Sequence, residues 1–220
     1  MTSGCNIATG ALYDQRMAAK DTFYFAALGE LAGLAASGAH SLADAVRTRR
    51  VDELRSLYDA HERARVCVGE IRASLVETWL PPLDRDDLRE LATVLARLTK
   101  SAAAVGACLD QRSFIPTVGE AADLFSRGCE RVKLSTELLA DLRGNRDALA
   151  RAAKEELAIV HAAREVFVAA LRRAADGEAP SPTNLLQIIA TRDVLERQRR
   201  AIETLHVHAI LLETLLLEYA

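Results

Sequence analysis

Trp79-Leu80-Pro81-Pro82-Leu83-Asp84-Arg85-Asp86-Asp87-Leu88 stops one helical pattern and starts another. Pro81 and Pro82 cannot continue the incoming helix, because proline lacks an N–H and its ring crowds the preceding turn. Asp84 is suited to cap the next helix: its carboxylate can accept from the free backbone N–H groups of the first turn. Asp86 and Asp87 suit the positive end of that helix dipole. These three aspartates therefore read as caps and not as a metal cluster.

Outward from this corner the chain keeps helical periodicity on both sides. Before it, Leu54, Leu57, His61, Ala64, Val68, Ile71 and Leu75 recur at three- and four-residue steps, which predicts one buried seam on a helix from about 51 to 79. After it, Leu88, Leu91, Leu95, Leu98, Ala102 and Val105 do the same on a helix from about 84 to 111. A first long helix is expected from Phe23 to about Val46, capped by Asp21-Thr22. Its Gly29, Gly33 and Gly38 lower helix propensity but allow close approach of a neighbour. Arg112 to Pro116 reads as a break, followed by a fourth helix to about Leu142 that closes on Gly144-Asn145. A fifth is expected from Arg146 to Ala175, with Leu157, Val160, Phe167 and Leu171 inward. Gly177 to Pro182 ends it. A sixth runs from about Thr183 to Tyr219 and is apolar on nearly all faces after Ala201, as in a helix central to a bundle or covered by a partner.

Composition agrees with an all-helical chain. Half of the 220 residues are hydrophobic, chiefly Ala and Leu, while aromatics are only 5%, and no alternating run of β-branched residues argues for a strand. A net charge of −3 gives no reason to expect nucleic-acid binding. Cys5, Cys67, Cys108 and Cys129 show no paired spacing, so buried thiols in a reducing cytoplasm are expected in place of a zinc site or a disulfide scaffold. No basic segment followed by an apolar run opens the chain. The most apolar stretch, Ala201 to Leu217, contains Glu203, His206, His208 and Glu213, too polar for a membrane span.

Two short matches suggest duplication. Ala64-Arg65 returns as Ala163-Arg164, and Pro81 returns as Pro180, each 99 residues later. The expected fold is all-α, a tandem three-helix-bundle repeat of six long helices: a lead-in over 1–20, one repeat over 21–112 and a second over 117–220, packed as one domain.

The corner Trp79 to Leu88, the stretch Asp21-Thr22-Phe23-Tyr24-Phe25 and the tandem layout resemble the PhoU-like family, in particular its Pit accessory or phosphate-transport-regulator branch. The resemblance covers roughly Asp21 to the C-terminus. It implies a cytoplasmic, often oligomeric regulator of inorganic phosphate uptake working beside a membrane permease. That family typically carries paired acids on the second and third helices of each repeat, where positions four apart share a face and can hold a metal ion. Counted from the corner, those positions fall here on His61 and Arg65, Val160 and Arg164, and Ala96, Arg97 and Lys100, with Arg199 the repeat counterpart of Lys100. Arginine and lysine cannot act as oxygen ligands, so no metal site and no cofactor is carried over.

Basic residues stand where acids are expected in both halves, which suggests an anion site. Arg65, Lys100, Arg164 and Arg199 are its candidates, arranged as two equivalent cationic patches for phosphate or an acidic segment. The alternative is ordinary surface charge paired with neighbours such as Glu62 and Glu165. Glu203-x-x-His206 has the spacing of di-metal bundles, but no second pair accompanies it; His61, on its apolar seam, reads as a core histidine. No phosphate loop, nucleophile elbow or zinc helix occurs, and a non-catalytic protein acting by contact with a phosphate permease or its regulatory apparatus is expected. The alternative is an anion- or metal-binding bundle with other ligands.

Overall fold

The computed structural model describes residues 7–109, 116–175 and 182–219. Among these residues there are six α-helices and no strand: α1 Ile7–Thr48, α2 Arg55–Glu77, α3 Arg85–Gly106, α4 Pro116–Leu138, α5 Arg146–Ala175 and α6 Pro182–Tyr219. Short 3-10 turns, Val51–Leu54 and Leu139–Asp141, precede α2 and follow α4. The breaks expected around 112–116 and 177–182 lie largely outside the described residues.

The first helix differs from expectation. It runs unbroken through Asp21-Thr22 from Ile7, so these residues do not cap it and the expected lead-in is part of the same rod. No proline interrupts residues 7–48, and Ala, Met, Lys and Leu propagate a helix readily. Its end is made without glycine. Arg49 takes the left-handed conformation at φ 59°, and the Arg50 N–H reaches back to the Ala45 carbonyl at 3.1 Å, the six-to-one bond of a Schellman closure.

The proline corner forms as its residues dictate. The Asp84 side chain accepts from the Asp86 N–H at 2.8 Å, and the Thr78 N–H still bonds to Ser74 in the outgoing turn. Arg85 donates to the Thr78 carbonyl at 2.5 Å and to that of Trp79 at 3.4 Å, tying the two helix ends together. Tyr219, at the far end of the chain, donates to Asp87 at 2.6 Å and accepts from the Asp84 N–H at 3.0 Å. Leu83 is buried beneath the corner while Trp79 is exposed.

α1 packs on α2 and α3, α4 packs on α5 and α6, and the two groups meet through α1 against α4 and α3 against α6. The seams of α2 and α3 enter one continuous core that also includes Tyr24, Leu31, Leu42, Phe125, Val160 and Leu205. On α5, Val160 and Phe167 are buried but Leu157 is only half-buried. α6 buries Ala201, Ile202, Leu205, Leu211, Leu212 and Leu215, yet leaves Val207, Ile210 and Leu217 exposed. Close approach falls on particular glycines. A Cβ at Gly38 would stand 3.0 Å from the buried Leu57, whereas Gly29 and Gly33 have nothing within 4 Å. Gly144 closes the turn after α4 through the Asp141 side chain, which accepts its N–H at 3.0 Å, without a left-handed φ.

Candidate functional site: a cationic groove between three helices

The α2 seam that faces α3 ends at a rim of longer side chains. His61, Arg65, Val68 and Arg72 stand at i, i+4, i+7 and i+11 and therefore share a face. Opposite them, Thr93, Ala96, Arg97, Lys100, Ser101 and Ala104 form the matching face of α3. Arg197 and Arg200 reach in from α6. Together they line a groove with a cavity volume of about 440 Å3. Val68 is buried at its floor. The basic side chains are exposed at its walls. No aspartate or glutamate belongs to the lining.

The charges in this groove are unevenly compensated. Arg65 has Glu62 at 3.4 Å, one turn away on its own helix. Arg200 shares Glu196 at 3.1 Å. Arg72, Arg97, Lys100 and Arg197 have no carboxylate partner among the described residues. The His61 Nδ1 is enclosed at the edge of the groove and makes no hydrogen bond. A buried polar atom without a partner is uncommon. The chemistry of such a lining is suited to oxyanions, because guanidinium groups donate in a fixed fork.

The four sequence candidates separate in the structure. Arg65 and Lys100 line this groove. Arg164 and Arg199 lie between α5 and α6, where Arg164 contacts Glu203 at 3.3 Å and Arg199 contacts the same Glu203 at 3.7 Å. Arg199 also makes two bonds of 2.9 Å to Glu196. The hydrogen bond from Arg199, with help from Arg200, pulls the Glu196 carboxyl down to about 2, so it is charged wherever the protein works. The expected second patch is thus a closed network of two glutamates and three arginines. Its partner is Glu203, not the Glu165 anticipated from sequence. Glu203 is correspondingly taken up by arginines and is not held ready for a metal with His206.

Arg72, Arg197 and Arg200 were not anticipated. Arg72 carried a legible signal, since it stands seven residues after Arg65 on the same helix face. Arg197 and Arg200 depend on how α6 lies against α3, which no local pattern records.

A second polar cluster is sealed inside α4, α5 and α6. Glu156 and His208 are both fully buried; the His208 Nδ1 faces Glu156 at 2.8 Å, and the Ser135 hydroxyl reaches the other carboxylate oxygen at 3.0 Å. The carboxylate stands between serine and imidazole, whereas a hydrolytic triad needs the imidazole in the middle. Burial drives the nearby Cys129 thiol well up, reinforced by the charge of Glu156. The cluster is a structural tie between three helices. Among the described residues no group of three His, Cys, Asp or Glu side chains is placed to hold a metal ion, and no helix is long and apolar enough to cross a membrane.

No protein-family model matches the chain, and no curated protein matches it.

Proposed function

We propose that this chain is a non-enzymatic, PhoU-like regulatory protein of phosphate transport, working in the cytoplasm and reading a phosphate-type oxyanion through the groove between α2, α3 and α6. The two three-helix groups are taken as a duplicated unit, and the output as contact with a membrane permease, by the protein alone or as a homo-oligomer. One observation carries the reading: six basic side chains and no carboxylate line a single groove. The corner at Trp79 to Leu88, with its capped restart, supports the family side of the proposal.

Calorimetric titration with inorganic phosphate tests the anion half, run beside the Arg65→Ala/Lys100→Ala protein. Heat that disappears in the variant supports it; no heat in either protein, or equal heat in both, removes it. Crosslinking in native membranes tests the transport half. Recovery of an anion permease supports it. Recovery of soluble proteins alone reduces the proposal to an anion-binding bundle.

A further inference from the structure

We infer that the groove is built for a condensed phosphate chain, such as tripolyphosphate or longer, and not for a single orthophosphate. This deepens the proposed function and rests on its anion-binding half.

The first argument is charge. One phosphate group brings about one and a half to two negative charges near neutral pH. The groove presents Arg72, Arg97, Lys100 and Arg197 without a carboxylate partner among the described residues, and Arg65 and Arg200 with one each outside the lining. A lone phosphate leaves about half of the uncompensated charge facing itself; several linked phosphates match it. The second argument is length. From His61 to Arg72 the lining spans eleven residue steps of α2, about 16 Å at 1.5 Å per residue, and the α3 face from Thr93 to Ala104 is equally long. The cations are spread along this distance instead of converging on one point. The third argument concerns what is absent from the lining. It contains no Phe, Tyr or Trp, so no large aromatic face is offered to a nucleobase.

At the 99-residue offset read from the sequence, the other half carries a closed set of charges. Ninety-nine residues after Arg65, Lys100 and Ala104 stand Arg164, Arg199 and Glu203, which contact one another. Glu196 stands at the position equivalent to Arg97. Two carboxylates thus neutralise the second site from within, while the first has alanine and arginine in their places and leaves its cations for a ligand.

The test is calorimetry on the full chain with orthophosphate, tripolyphosphate and ATP at fixed ionic strength. Tripolyphosphate is expected to bind at least about tenfold more tightly than orthophosphate, and more tightly than ATP. Arg97→Gln/Lys100→Gln should weaken it by about tenfold or more, whereas Arg164→Gln should leave it unchanged. Ala104→Glu, which retains every cation but installs one of the two carboxylates seen in the other half, should also weaken binding; circular dichroism melts verify that each variant is folded. Equal affinity for orthophosphate and tripolyphosphate overturns this inference and leaves the proposed function intact. Tightest binding of ATP, or tripolyphosphate binding indifferent to the groove variants, also overturns it. No binding of any anion overturns both.

Discussion

Removing His208 should cost the protein as much as the larger truncations of core side chains. The imidazole and the Glu156 carboxylate are both fully buried and meet at 2.8 Å. In His208→Leu the carboxylate keeps only the Ser135 hydroxyl, whose single proton is also shared with the Val132 carbonyl at 3.0 Å. Breaking a fully buried carboxyl–imidazole pair by removing one partner costs about 3–5 kcal/mol. For a chain of this size each kcal/mol moves the thermal midpoint by about 2–4 °C, so a drop of about 6–20 °C is expected. Glu156→Leu leaves the milder problem of an imidazole with neither nitrogen bonded, since its Nε2 already lacks a partner; about 1–3 kcal/mol is expected.

The double variant distinguishes mechanism from mere damage. With both polar groups replaced by leucine, Ser135 still bonds to Val132, and three helices meet through apolar contact. Its stability should lie within about 1–2 kcal/mol of the parent, giving a coupling of at least about 2 kcal/mol in a urea-denaturation cycle. If the double variant lost the sum of the two single losses, the pair would not be the source of the cost. A His208→Leu loss below about 1 kcal/mol would equally refute the reasoning.

Four further outcomes follow from local geometry. Gly33→Ala should stabilise by about 0.5–1 kcal/mol, because the new methyl meets nothing and helix propensity improves. Gly38→Val should instead destabilise by about 1–3 kcal/mol through overpacking against Leu57; urea midpoints compare them. Tyr219→Phe should cost about 1 kcal/mol by freeing the C-terminal turn from Asp84 and Asp87. Its hydrogen bond to Asp87, followed by burial, raises the Tyr219 pKa above the ordinary tyrosine value. That contribution is present below about pH 10 and is lost as pH rises through the folded pKa, so denaturation at alkaline pH should show a decline in the parent that the Phe variant lacks. Timed alkylation with mass-spectrometric readout should modify the half-exposed Cys108 before Cys67, whose buried thiol is pushed up to about 11.

The corner and the two seams beside it were legible because they rest on local rules. Proline ends a helix wherever it stands, an aspartate at the N-cap has its hydrogen-bond partner two residues ahead, and a three-four apolar rhythm has one buried side. The seams from Leu54 to Leu75 and from Leu88 to Val105 were accordingly read residue by residue, His61 excepted, which is only half-buried. The start of α1 was not, because Asp21-Thr22 carries a cap signal that an uninterrupted helix simply overrides. Its end was also obscure: Arg49 adopts a conformation usually marked by glycine, so the composition gave no cue.

The site was half legible for a related reason. Which residues are basic is written in the chain, but which of them are free is decided by carboxylates that arrive from other helices or other turns. Arg65 and Arg164 have similar neighbours in sequence, each followed or preceded closely by a glutamate. They part only when α6 brings Glu203 to Arg164, while α3 brings Ala104 to the groove of Arg65. Glu196 completes the contrast, since it satisfies Arg199 and Arg200 but not Arg197, which lines the groove beside Arg200. An anion has little to gain at the closed network, where it must displace carboxylates that are already well bonded. At the groove it meets Arg72, Arg97, Lys100 and Arg197, which have no carboxylate partner among the described residues. The two sites therefore differ in compensation as well as in cation count, and a carboxylate at position 104 should weaken the hold of the groove on an anion without closing it.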